Sequence, residues 1–252
     1  MDTTVDEIAP GIFRISTWIP DITEHGFTFN QFLLTGDDPM LFHCGMRQLF
    51  PLVSQAIARV IPLENLRWIS FGHLEADECG AMNMFLEAAP QAEVMHGPRA
   101  IMLSLADMCD RRPVPAPEDE PLDTRGHRLR FIPTPHVPHN WEAGLWFDET
   151  TTTLLAGDLL THAGKCPALT ESDCVAPALD AEALFQATGL TTNLAPTLAP
   201  RRAEPHNAGD HARLVLLRRR RRPAAVAVGR VRGARRITPR VTPITHATSC
   251  VP

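Results

Sequence analysis

The stretch FGHLEADECG, residues 71–80, constrains this chain more than any other. It follows LRWISFG (66–72), short and mostly apolar, which reads as a strand. It runs into CGAMNMFLEAAP (79–90), which reads as a helix ending at a proline. His73, Glu75 and Asp77 take every second position of this connection. In an extended loop such positions point to one side. Three metal-capable side chains would then converge above the C-terminal end of a strand, where α/β folds tend to build their sites. Hard oxygen ligands beside imidazole suit iron or manganese at least as well as zinc. The rival reading is an acidic helix start, since Asp and Glu favour a helix N-terminus. The alternation with His73 directly after an apolar strand counts against it.

The flanking pattern is that of a layered α/β domain. GIFRISTWIP (11–20) alternates as a half-buried strand does, and residues 27–45 read as two strands joined by a Gly-Asp-Asp turn. A helical spacing follows at 50–61. Strand-like AEVMHG (92–97) leads into a helix at 98–110 with Pro98 in its first turn. A proline-rich acidic loop covers 110–123. Further strands are expected at 127–135, 143–149 and 151–158, and a helix begins near Asp180. The chain of 252 residues, 44% hydrophobic, is long enough for one sizeable core. It has no run of about 18 apolar residues to cross a membrane and no secretory leader in MDTTVDEIAP. No two of its six cysteines have the spacing of a zinc knuckle or redox pair, so they read as reduced thiols that pack, in a cytoplasmic protein.

Two later stretches repeat the arrangement of a strand followed by metal-capable residues. TPHVPHNWEAG (134–144) offers His136 and His139, and LLAGDLLTH (154–162) offers Asp158 and His162. Three such clusters in one chain are hard to attribute to chance. The order H-x-E-x-D, then TP…H, then GD, resembles the metallo-β-lactamase fold, and within it the flavodiiron and oxygen-binding diiron branch. Zinc hydrolases of that fold show H-x-H-x-D-H, whereas the diiron branch has Glu where this chain has Glu75. The resemblance covers roughly residues 5–198 and implies an αββα sandwich, cut short at its C-terminal end. It implies that His73, Glu75 and His139 hold one iron, that Asp77 holds a second, and that Asp158 bridges both. His139 is preferred to His136 because it lies 19 residues before Asp158, close to the spacing of the diiron branch. The branch often has His after the Asp, where this chain has Glu78; Glu78 could ligate or support a ligand. Cys79 reads as a packing residue.

The family closes its site with a C-terminal His in a His-Gly-Ser-like turn, which this chain lacks. Its C-terminal segment is also foreign in composition. From Arg201 on, thirteen arginines face two acids, a surplus of eleven positive charges. The first 200 residues therefore carry −16 against −5 for the whole chain. Read one base later, codons available to His211-Ala212-Arg213-Leu214 can spell Met-His-Gly-Ser, and successive CGN arginine codons become GNC. The expected division is therefore a diiron-type domain at 1–198 and an Arg/Pro-rich, disordered, frameshifted segment at 199–252. As a nucleic-acid arm the segment is poorly equipped, since it has no aromatic residue to stack on bases.

The function expected from the resemblance is a centre of one or two iron ions that binds or reduces dioxygen. A separate electron-transfer partner would feed it, because no flavodoxin-like domain follows, and the protein could form a homodimer. Two alternatives stand beside it. One is a zinc hydrolase of esters, thioesters or lactones, with Asp77 or Glu78 as proton carrier on a small-molecule substrate. The other is a degenerate scaffold with a basic tail.

Overall fold

The computed structural model describes residues 2–22, 26–185 and 187, together with the backbone of Ala225–Val226. Strands β1 (Asp2–Ala9), β2 (Ile12–Ile19), β3 (Phe27–Leu34) and β4 (Met40–Phe42) form an antiparallel meander. Helix α1 (Phe50–Ile57) then carries the chain to β5 (Trp68–Ser70), which lies parallel to β4. Two short helices, α2 (Ala76–Cys79) and α3 (Met82–Ala88), lead to β6 (Glu93–His96), again parallel. Next, α4 (Pro98–Ala100) continues through a π-helical stretch at Ile101–Leu105 into α5 (Ala106–Met108), and β7 (Val114–Pro115) completes a seven-stranded sheet. The second sheet holds β8 (Leu122–Asp123), β9 (Arg128–Pro133), β10 (Gly144–Asp148), β11 (Thr153–Leu155) and the short β12 (Ala225–Val226), and α6 (Val175–Phe185) follows β11 in the chain.

The period-2 alternation of each strand decides which side of its sheet it feeds. Phe32, Leu34, Met40, Phe42 and Met95 face Phe131, Trp146 and Leu155 of the second sheet and form the core between the sheets. Their neighbours Leu33, Leu41, Ile69 and Val94 point the other way, onto Val53 and Ile57 of α1 and Phe85 of α3. On the outer face of the second sheet, Leu145 and Leu154 gather Ile132 and Phe147. This is the expected αββα sandwich. A polar tie crosses its core: the Trp146 indole donates to Ser70 Oγ at 2.8 Å, and Ser70 Oγ donates to the Met95 carbonyl at 2.7 Å.

The elements stand close to where the sequence puts them, with four departures. The last helix, expected from about Asp180, begins at Val175. Residues 2–9, in which the sequence shows no strand pattern, form β1, an edge strand whose outer residues are solvated. The helix expected over 79–90 is two helices, broken at Gly80–Ala81. The acidic loop contributes the two-residue strands β7 and β8. Among the described residues no helix is long and apolar enough to cross a membrane, and the five described cysteines are free. The segment 199–252, with His206, His211 and the arginine run, lies outside the described residues apart from the β12 backbone.

Ser70 is the natural probe of the sandwich. Ser70→Ala leaves the buried Trp146 N–H without its acceptor, which costs about 1–3 kcal/mol. Denaturant unfolding should show this loss, and in the Trp146→Phe background the same change should cost less. Equal costs in both backgrounds would mean that the tie contributes nothing.

Candidate metal centre

In the first sheet β4, β5 and β6 run parallel, so their C-terminal ends lie at one edge. In the second sheet β9 and β11 both pair antiparallel with β10, so they also end together. The Gly144 N–H, at the start of β10, donates to the Gly72 carbonyl just past β5 at 2.8 Å, which holds the two edges against each other. Segments 71–78, 134–143 and 156–158 therefore meet at one end of the sandwich.

There, one donor atom each from His73, Glu75, His139 and Asp158 lie within 4.8 Å of one another. Glu75 Oε2 is 2.8 Å from His73 Nε2 and 2.9 Å from His139 Nε2. His73 Nε2 is 3.9 Å from Asp158 Oδ2. The two imidazoles meet edge to face, with ring centres 4.2 Å apart. Neighbouring ligands of an ion bound at about 2.1 Å sit about 3 Å apart, and the contacts of Glu75 to the two imidazoles are near that spacing, so this mixed donor set suits a metal ion after small side-chain shifts.

The electrostatics fit as well. Burial would push the His73 imidazole down, but Glu78, the hydrogen bonds to Glu75 and Glu78, and Asp158 together carry it up to about 11. Hydrogen bonds from His139 and His73 hold Glu75 at about 2. Asp77 is pushed up to about 7, first by burial and then by the carboxylates of Asp158, Glu78 and Glu75. Without metal, a proton on His73 is the cation that balances this crowd of carboxylates; a metal ion would take its place.

The sequence candidates divide as follows. His73, Glu75, His139 and Asp158 come together. Asp77 does not join them in the four-residue group, because the chain turns helical at Ala76 and the alternation of sides stops at Glu75. Asp77 instead sits in the first turn of α2, close enough to Asp158 to feel its charge. His136 is exposed, with its N–H bonded to the Asn140 carbonyl in a turn, and stays outside the group. His162 Nε2 lies 3.0 Å from the Cys174 carbonyl, also outside the group. Cys79 packs in the core, its thiol 3.1 Å from the Glu75 carbonyl and raised to about 12 by burial.

Glu78 turns inward rather than toward the cluster. Its Oε2 accepts from the Gly72 and His73 amides at 2.8 and 2.6 Å. Burial would raise this carboxyl, but His43 and His73 hold it well below the usual range. His43, which the sequence did not single out, is buried at the end of β4 and stacks on Phe42. Its signal was its place: it directly follows β4, as His73 follows β5 by three residues, and both strands run parallel. Gly157, beside Asp158, has φ +52, and a Cβ there would stand 3.3 Å from Glu78 Oε1. A glycine lets this loop close over the carboxylate.

Against known proteins, residues 27–188 match the family described as ODP family beta lactamase. The chain belongs to this family. Among curated relatives of this ODP-family chain, diflavin flavoprotein A 3 of Synechocystis sp. is 30% identical over 177 residues, 66% of this chain and 28% of that protein. Diflavin flavoprotein A 5 of Nostoc sp. is 28% identical over 146 residues, 57% of this chain and 25% of that protein. The chain thus spans about a quarter of the length of the curated relatives it matches. The fold is that of the Synechocystis sp. Flv1 flavodiiron core (TM-score 0.62, 23% identity, covering 77% of this chain and 54% of that one). It is equally that of rubredoxin oxygen:oxidoreductase from Desulfovibrio gigas (TM-score 0.63, 15% identity, covering 71% and 48%).

The raised His73 gives a pH prediction. A group whose folded pKa exceeds its unfolded value near 6.5 stabilises fully below 6.5 and loses that contribution as pH rises through about 11. Metal-free protein should therefore lose stability steadily between those limits, and saturating Fe(II) should flatten the loss. Thermal melts across the range check both. A metal-free profile that stays level there would contradict the charge balance described above.

Proposed function

We propose that this chain is a metal-binding protein of the metallo-β-lactamase fold whose non-haem iron centre binds or reduces dioxygen. The observation that carries the reading is the convergence of His73, Glu75, His139 and Asp158 at the joined strand ends. When bound, iron supplies a redox-active centre able to take up dioxygen. The protein's own part is to present two imidazoles and to balance the charge of the ion with Glu75 and Asp158. Asp77, beside Asp158, is the carboxylate that would be available to a second ion. Glu75 stands where zinc hydrolases of the fold have an imidazole, and its hard oxygen suits iron at least as well as zinc. The names of the relatives, flavodiiron and oxygen:oxidoreductase, agree with this chemistry. We assign the metal-binding domain to residues 1–198 and treat 199–252 as a separate segment; the DNA around codons 198–224 tests whether its reading frame is shifted. Electrons would come from a separate partner protein, and a homodimer fits the same reading.

Protein expressed with iron in ample supply and purified without chelators should carry iron in preference to zinc, nearer one equivalent than two. It should consume dioxygen when given a chemical reductant. His139→Ala should abolish the retained iron, whereas His136→Ala should leave it unchanged. Retention of zinc alone with iron in excess would replace this reading by that of a hydrolase. Loss on His136→Ala instead of His139→Ala would overturn the ligand set.

A further inference from the structure

Glu78 occupies the position where the diiron branch often carries a further histidine, yet in this chain both of its oxygens face the protein interior. Oε2 collects the Gly72 and His73 amides and lies 3.3 Å from His73 Nδ1. Oε1 faces His43 Nε2 at 3.1 Å. Neither of these last two atoms has an aligned hydrogen bond, so a buried donor and a buried acceptor stand opposite each other, a small ring rotation from pairing. Glu78, His73 and His43 are all at most 3% exposed, which leaves water little part in the arrangement.

We propose that Glu78 is a positioning residue: held from behind by His43, it fixes the His73 ring with Nδ1 turned inward and Nε2 presented to the metal. The inference rests on the metal reading above and adds to it the device that orients the central ligand. Three observations support it. The ring is bracketed at both nitrogens, by Glu78 at Nδ1 and by Glu75 at Nε2, 2.8 Å away. An Nδ1–H shared with a carboxylate leaves the Nε2 lone pair free for an ion, and a metal-ligating His commonly needs such a partner to fix its tautomer. Finally, Glu78 reaches the other side of the cluster too: Gly157 packs against Oε1, and a Cβ there would also lie 3.7 Å from His43 Nε2. The buried His43–Glu78 pair is thus the floor on which both His73 and the loop bearing Asp158 rest. In this chain the position serves the ligand rather than acting as one.

The test compares wild-type protein with Glu78→Gln, His43→Ala and the double variant. The readouts are Fe(II) titration under anaerobic conditions and nitrogen-15 spectra of the His73 ring in the metal-free protein. Glu78→Gln keeps an acceptor for the two amides, and circular dichroism with a thermal melt confirms that it folds. The proposal expects the number of Fe(II) equivalents to stay the same while affinity falls about 10- to 100-fold. The His73 Nδ1–H signal, set in the wild type by its carboxylate partner, should move toward that of a free ring. His43→Ala should have a smaller effect of the same sign, and the double variant should be no worse than Glu78→Gln, because His43 acts through Glu78. Loss of a whole equivalent in Glu78→Gln would make Glu78 a ligand and overturn the proposal. So would unchanged affinity and unchanged ring spectra beside a lowered melting temperature, which is the mark of a purely structural role. If the wild type takes up no Fe(II), the metal reading fails by itself, and the ring spectra of the metal-free proteins still decide whether Glu78 orients His73.

Discussion

The hydrogen bond from the Gly144 amide to the Gly72 carbonyl sets the geometry on which the rest of this molecule depends. It is where the two sheets touch backbone to backbone at the site end. Residue 144 has no room for a side chain here: a Cβ would stand 2.3 Å from the Phe131 ring of the neighbouring strand β9. Once these edges are pinned, the ends of β4, β5, β9 and β11 lie within reach of one another, and each end carries a polar residue that the apolar interior could not accept. The site is therefore a product of the sandwich. The alternation that fills the core between the sheets also brings the strands to a common edge.

That division explains what could be read from the sequence. Alternation marked β2, and short apolar runs bounded by turn residues marked β3, β4, β5, β6, β9, β10 and β11, so these strands were legible, as was the helix after β4. The break of the second helix at Gly80–Ala81 was not, because an apolar run at helical spacing does not reveal a one-turn interruption. Strand β1 escaped because an edge strand with a solvated outer row looks like any polar terminus. At the site, His73, Glu75, His139 and Asp158 were legible through a combination of strand-end placement and family resemblance. Asp77 was assigned to the same side as its neighbours on the assumption of an extended loop, which the helix start at Ala76 ends. His43 was invisible for a different reason: nothing near it in sequence marks it, and its role depends on a parallel strand pairing made across a helical crossover.

The acidic character of the body also gains a local meaning. Four carboxylates, from Glu75, Asp77, Glu78 and Asp158, share one end of the molecule, and they are not equivalent. Glu75 is stabilised as an anion by two imidazoles, Glu78 by His43 and His73, while Asp77 is raised toward neutrality. One carboxylate is thus committed inward, two are turned to the cluster, and one remains at the margin with charge still to be balanced.

The donors of the cluster belong to three distant stretches of chain; Glu75 and His139 alone are 64 residues apart. An ion held by them would act as a staple, closing loops in the way a disulfide does, with most of its entropic effect exerted on the unfolded chain. Unlike a disulfide, such a staple can be lifted without cutting a covalent bond. The loop of residues 134–143, which brings only His139 to the cluster, would then be the first to loosen. The mouth of the site would be as firm or as loose as the supply of metal allows.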